Sequence, residues 1–317
     1  MTEASHPLQL NRIKPTGFKW FLIKVVRDRQ FLLLMIPGTL FFLIYSYIPL
    51  GGIFLAFTDY IGGDIFKSHW VGLRWFVQFF QSPDMVRIVS NTILINIYNI
   101  FFGFIITIFF TLMLNEIKHV FYKRFVQTAS YLPYFISTVI IVGLMYNFFS
   151  VDGGIINLLL NKLGMESVNF MTSPKWFRTL FVGSNVWQSF GFNSIIFLSA
   201  ISGINLEMYD AADVDGANRI QKMLRITLPC IYPTIIILLI LNLGQIFSSG
   251  YEKTILMYSP PTYSTGDVIG SYIFRKGIQG TELSYTTAIG LVSSIINICF
   301  LLATNKIAKT FTDISLW

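Results

Sequence analysis

The sequence predicts an all-α integral membrane protein with six transmembrane helices, and three observations carry that prediction. Of 317 residues, 54% are hydrophobic and only 12% charged, and the mean hydropathy is +0.62, the balance of a membrane protein rather than a soluble domain. The apolar residues gather into runs of about twenty or more, the length a helix needs to cross about 30 Å of hydrocarbon at about 1.5 Å per residue. These runs cover 31–58, 88–114, 129–149, 180–204, 230–250 and 284–305, and none contains Asp, Glu, Lys, Arg or His.

The elements follow in order. Residues 1–30 form a basic tail whose part "GFKWFLIKVVRDRQ" reads either as an interfacial helix, with Phe18, Trp20 and Phe21 on lipid, or as a cationic flank that fixes topology. The first run opens "FLLLMIPGTLFFLIYSYIPLGGIFLAF" and has no small-residue cleavage site before it, so it is expected to remain as a true span. A transmembrane domain over 31–311 then includes a polar loop at 205–229, and 312–317 forms a short C-terminal tail. Lys and Arg fall unevenly: 14 of the 23 lie in the tail, 115–128, 205–229 and 306–317, and 9 lie in 59–87, 151–179 and 251–283. Cationic loops resist translocation, which predicts both termini in the cytoplasm.

Several classes of function drop out. The net charge of +7 sits in the tail and inner loops, where it meets an anionic leaflet, so nucleic acid is not needed to explain it. Cys230 and Cys299 fall at or within spans with no CxxC pattern, and His6, His69 and His119 are scattered with no HExxH spacing, so no metal site is expected. Transport driven by protons or sodium needs ionisable groups or broken helices at mid-membrane, and the six runs offer no such group. No window fits the phosphate-cradling GxxxxGK[ST] loop. Any ATP-driven work must come from a partner.

The spans do carry uncharged polar groups, as a path for a polar solute would. Asn91, Asn96 and Asn99 lie on the second run, Tyr146 and Asn147 end the third, Asn185, Gln188 and Asn193 lie on the fourth, and Asn242 and Gln245 on the fifth. Such residues also serve simply as hydrogen bonds between helices. The stretch "NLGQIFSSGYEKT" concentrates amide, hydroxyl, aromatic and carboxylate groups, the mixture that binds sugars. The competing reading makes Tyr251 part of an aromatic belt and Glu252 and Lys253 markers of the interface.

The loop "DAADVDGANRIQKMLRITLP", Asp210 to Pro229, is polar between two apolar runs. Glu207 to Val214 suits a helix whose acidic first turn, with Glu207 and Asp210, complements the positive dipole end. Gly216 then allows a tight turn or a close backbone approach. A second helix with Arg219, Lys222 and Arg225 is expected to end at Pro229, where the fifth span begins. Two short helices joined rigidly to a span can pass motion into it.

This loop resembles the EAA loop of binding-protein-dependent ATP-binding-cassette importers, E-A-A, three residues, Gly, nine residues, I-x-L-P. Here it reads Asp210-Ala211-Ala212, Gly216, then Ile226, Leu228 and Pro229, with Asp210 in place of the usual Glu. Stretches such as "YIPLGGIFLAFTDY", "WVGLRWFVQFF", "QTASYLPYFIS" and "GDVIGSYIFRKGI" extend the resemblance to the carbohydrate permeases, especially the branch that takes oligosaccharides and fragments of complex polysaccharides.

The resemblance implies a MetI-like, type I importer permease fold with cytoplasmic coupling helices, in a bacterial cytoplasmic membrane. It implies a heterodimer with a second permease against which the first span packs, two ATPase subunits and an extracytoplasmic binding protein delivering an oligosaccharide. ATP and magnesium would belong to the ATPase, and this chain would bind no cofactor or metal. Glu207, Asp210, Ala211, Ala212, Asp215, Gly216 and Ala217 are the expected ATPase-docking residues. Tyr146, Asn193, Gln245, Ser249, Tyr251 and Glu252 are the expected substrate path.

Rival readings are a permease of the same superfamily for another polar solute and a membrane-embedded glycan enzyme using Asp59, Asp64, Asp152 or Asp267. Those carboxylates are scattered rather than paired at catalytic spacing. The segment "SPPTYSTGDVIGSYIFRKGI" is expected either to cap the outer mouth or to support the last two spans. The lack of any cation in the six runs argues against tight charge-paired binding of uronates within this chain, although the second permease could supply a cation.

Overall fold

The computed structural model describes residues 27–248, 251–312 and 314–316. Two compact units divide the chain, Met1–Phe54 and Leu55–Trp317. In the first, α1 (Arg29–Phe42) passes through a π-helical turn, Leu43–Tyr47, into a 3-10 helix that starts at Ile48. Pro49, Gly51 and Gly52 are poor α-helix formers, which suits the tighter winding there. No residue from Arg29 to Phe54 is buried. Phe18, Trp20, Phe21 and His6 lie outside the described residues.

The second unit opens with β1 (Thr58–Asp59) antiparallel to β2 (His69–Trp70), with Thr58 opposite Trp70. There follow α2 (Arg74–Gln81), α3 (Met85–Asn115), α4 (Val120–Tyr131), α5 (Thr138–Phe149), α6 (Ile155–Lys162), α7 (Pro174–Ser202), α8 (Glu207–Val214) and α9 (Arg219–Lys222). Then come α10 (Leu228–Leu243), α11 (Tyr251–Met257), α12 (Tyr263–Gly266), α13 (Ile269–Ile273) and α14 (Leu283–Thr312). Among the described residues, four helical stretches are long and apolar enough to cross a membrane: Arg29–Phe57, Met85–Asn115, Arg219–Leu243 and Leu283–Thr312. The number rises to six if each of two bent helix pairs counts as one span.

The structure differs from the sequence expectation at three places, each for a visible reason. The third, 129–149, is not one helix: the chain bends by 98° between Val120–Phe135 and α5. Pro133 cannot donate to the helical ladder, and Ser137 Oγ accepts from Ile140 N at 3.4 Å to cap α5 afresh. The helix begun at Arg219 does not stop at Pro229 but runs on through a π-helical turn, Met223–Thr227, into α10. The proline occupies the first turn after that change of winding, where its missing N–H costs least. Finally, the fifth run ends early, at Leu243, and 244–248 form turns instead of helix.

Helices α3 and α7 lie side by side and parallel: Arg178 Nη2 donates to Asn91 Oδ1 at 2.8 Å, and Asn185 Nδ2 to Asn99 Oδ1 at 3.4 Å. One buried cluster joins Ile95, Ile141, Met145, Phe177, Phe181 and Met257, and so ties α3, α5, α7 and α11 together. A second joins Phe79, Ile88, Ile246, Tyr272, Tyr285 and Ile289, and a third Leu112, Phe197, Ile201 and Ile231. At Gly191 the packing leaves no room for a side chain, since a Cβ would stand 2.1 Å from Ser130 O.

Candidate functional site

Two features of the second unit stand out: the helix pair after α7, and a cavity among α3, α7 and α10 whose wall mixes amides and hydroxyls with apolar side chains.

Helix α8 turns off α7 at 75°. Asn205 fixes its start, with Oδ1 accepting from Glu207 N and Nδ2 donating to Glu207 Oε2, both at 3.0 Å. It ends in a Schellman arrangement: Gly216 N donates to Asp213 O at 3.1 Å and Ala217 N to Ala212 O at 2.9 Å. Gly216 has φ +75° with nothing within 4 Å of where a Cβ would be, so the glycine is needed for its backbone conformation and not for space. Asn218 then caps α9, its Oδ1 taking Gln221 N at 2.9 Å while Gln221 Oε1 takes Asn218 N at 2.8 Å.

The two helices are clamped together. Lys222 Nζ lies 2.7 Å from Asp213 Oδ1, and the Tyr209 and Thr227 hydroxyls are 2.8 Å apart. Because Thr227 leads directly into α10, displacement of α8 is carried to a membrane span. Asp210, Ala211, Asp215 and Gly216 are exposed, Ala212 and Ala217 half-buried, and Val214 and Ile220 present bare apolar side chains.

The cavity holds about 430 Å³. Its wall repeats at helical spacing: Asn96, Asn99, Gly103 and Thr107 from α3, Asn185, Ser189 and Asn193 from α7, then Asn242 and Gln245 where α10 gives way to turns. The break at 244–248 forms part of this wall, and remote side chains help to hold it beside its local backbone bonds. Asn96 Nδ2 donates to Ile246 O at 2.8 Å, Asn297 Oδ1 accepts from Phe247 N at 2.9 Å, and Asn297 Nδ2 donates to Ser248 Oγ at 2.6 Å. Unwound backbone within a membrane is tolerated only with such partners. Asn193, Asn242 and Gln245 are exposed and leave one side of the cavity open.

Of the expected path residues, Asn193 and Gln245 line this cavity. Tyr146, Tyr251 and Glu252 are exposed and are not in its wall, and Ser249 lies outside the described residues. The remaining wall residues were visible as a pattern: Asn185, Ser189 and Asn193 recur every fourth residue, one face of a helix. Lys253 carried no such signal. It is 4% exposed, and its Nζ donates to the cavity residue Asn185 at Oδ1, 2.7 Å away.

The segment 258–283 is anchored rather than free. Asp267 is fully buried and takes Arg275 at 3.0 and 2.6 Å, while the Asn91 amide donates to Asp267 O at 3.1 Å. Arg275 lies 4.6 Å from the Tyr263 ring centroid. Burial alone would lower the Arg275 guanidinium, but the hydrogen bonds and charge of Asp267 outweigh it and raise it.

A bundle of apolar helices, an exposed clamped helix pair and an amide-lined cavity together define a membrane permease subunit rather than an enzyme. The comparisons make this specific. Residues 99–312 match the family model described as binding-protein-dependent transport system inner membrane component, and the chain belongs to that family. It is 39% identical over 298 residues to Protein LplB of Bacillus subtilis (strain 168), covering 93% of each chain. It is 35% identical to the polygalacturonan/rhamnogalacturonan transport system permease protein YteP of the same organism, over 93% of this chain and 92% of that one. Among solved structures, it matches a chain of a bacterial alginate ABC transporter in complex with an alginate pentasaccharide-bound periplasmic protein, with TM-score 0.85 and 39% identity over 93% of this chain and 99% of that one.

Proposed function

We propose that this chain passes an oligosaccharide through the cytoplasmic membrane as one of two different permease subunits, driven by two ATPase subunits and fed by an extracytoplasmic binding protein. The carrying observation is the cavity, whose uncharged amides and hydroxyls suit a hydroxyl-rich solute and whose open side leaves room for a second subunit to complete the path. The names of the relatives, a polygalacturonan/rhamnogalacturonan permease and an alginate transporter, support the same solute class. The distribution of Lys and Arg supports cytoplasmic termini. The first span, with no buried residue from Arg29 to Phe54, then lies against the second permease.

In this reading ATP, with magnesium, binds and closes the ATPase pair. Glu207, Asp210, Ala211, Ala212, Asp215, Gly216 and Ala217 form the face the ATPases grip, and the Asp213–Lys222 and Tyr209–Thr227 clamps hand the motion to α10. Differential contacts at the two ends bias the permease between inward-facing and outward-facing states. Asn193 and Gln245 contact solute, with Ser249, Tyr251, Glu252 and Tyr146 along its route.

The test is to purify the tagged chain gently from its native membrane, identify what accompanies it, and measure ATP hydrolysis with saccharide-loaded binding protein. Recovery of a second permease and an ATPase, with hydrolysis stimulated in the wild type and lost in Gly216→Val, is expected. Stimulation surviving in Gly216→Val would sink the docking role. Recovery of the chain alone, in a detergent that keeps other importers whole, would sink the importer assembly.

A further inference from the structure

Lys253 is out of place by ordinary rules. A buried ammonium is expected to be paired with a carboxylate, because losing water costs far more than one neutral hydrogen bond returns. Yet Lys253 is 4% exposed, and no Asp or Glu oxygen lies within 4.0 Å of it among the described residues. Its contacts are Asn185 Oδ1 at 2.7 Å and the face of Phe181, 5.8 Å from the ring centroid. Arg275, less deeply placed, is by contrast paired with the carboxylate of Asp267.

The amide that Lys253 grips belongs to the cavity. Asn185 presents its carbonyl to the ammonium and turns its Nδ2 to Asn99, a second wall residue. The wall itself carries no charge, and the ammonium stands directly behind its Asn185. In a site of low dielectric the ammonium's potential is weakly screened, and an amide whose oxygen is held by a cation is a stronger N–H donor.

We propose that Lys253, acting with Asn185, is a specificity-determining cation of the cavity and makes it prefer a saccharide bearing carboxylates over a neutral one of the same length. This rests on the oligosaccharide reading above. The missing counter-ion is then supplied by the passing solute, whose carboxylate meets the polarised Asn185 amide and the field of the ammonium. The absence of cations in the six apolar runs does not prevent this, because Lys253 reaches the wall residue Asn185 from α11, outside all of them.

The probes are tetragalacturonate and its fully methyl-esterified form, equal in backbone and different in charge. Their binding is measured by equilibrium dialysis on the whole importer in nanodiscs, without nucleotide or binding protein. The wild type is expected to hold the acid at least about tenfold more tightly than the ester, the scale of one retained charge interaction. Lys253→Met should bring the two affinities together by weakening that for the acid far more than that for the ester, and Lys253→Arg should keep the preference. Asn185→Asp neutralises the cation in place without emptying its site, so it tests the idea even if Lys253→Met fails to assemble, and it should also abolish the preference. A wild type that binds both probes equally, or a preference that survives in either neutralised variant, overturns the proposal alone. An intact, ATP-hydrolysing wild type that binds neither probe overturns the oligosaccharide reading and the proposal with it.

Discussion

The helix pair 207–227 and the cavity beside 244–248 are both polar inclusions in an apolar chain, yet they are held in opposite ways. The bonds that shape the pair stay within it: Asn205 to Glu207, Ala217 to Ala212, Asn218 to Gln221, Lys222 to Asp213 and, the longest in sequence, Tyr209 to Thr227. The cavity is held by bonds that span the chain, such as Asn96 to Ile246 and Lys253 to Asn185. A locally closed element can be moved as one body by a partner without disturbing the bundle. A remotely closed one changes when any of its helices shifts, which is what a gated path requires.

The comparison can be broken at several points, and the largest effect is expected where a buried bond carries charge. Asp267→Asn leaves Arg275 without its counter-ion, which should cost about 3–5 kcal/mol and show as a large fall in the detergent unfolding temperature. Gly191→Ala forces a methyl onto Ser130 O and should cost about 1–3 kcal/mol by the same measurement. Asn96→Leu strips the Ile246 carbonyl of a donor and should cost about 1–3 kcal/mol, with faster hydrogen exchange at 244–248. Lys222→Gln opens the exposed clamp to Asp213 and should cost under about 1 kcal/mol, so a loss of coupled ATP hydrolysis there with unfolding unchanged would isolate its mechanical role. A large thermal loss from Lys222→Gln would instead place the pair within the folded core and erase the contrast.

What the sequence disclosed follows the same division. The bounds of α8, the turn at Gly216 and the onset of α9 were legible because Asp, Gly and Asn act on their near neighbours. The bend at 132–137 had a local cause in Pro133 that a run-length reading overrode. The early end of the fifth run was hidden, since Gly244 is tolerated in helices and the amides that stabilise the break come from α3 and α14. In the cavity, Asn193 and Gln245 are legible as polar groups within apolar runs, whereas the sequence leaves Lys253 between a sugar-binding stretch and an interface marker, because its partner is a residue of α7.

The bond from Asn96 to Ile246 also sets a clock for assembly. Its two residues are 150 positions apart, so at about 5–20 residues per second the donor is made roughly 8–30 s before its acceptor. During that interval Asn96 has its own helix to turn to, through the 2.8 Å bond to Thr92 O, and this parks the amide in the bilayer at low cost. A ribosome stalled before the fifth run would therefore leave a half-built bundle that is quiet toward lipid but has no cavity, and quality control would have to recognise it by some other mark.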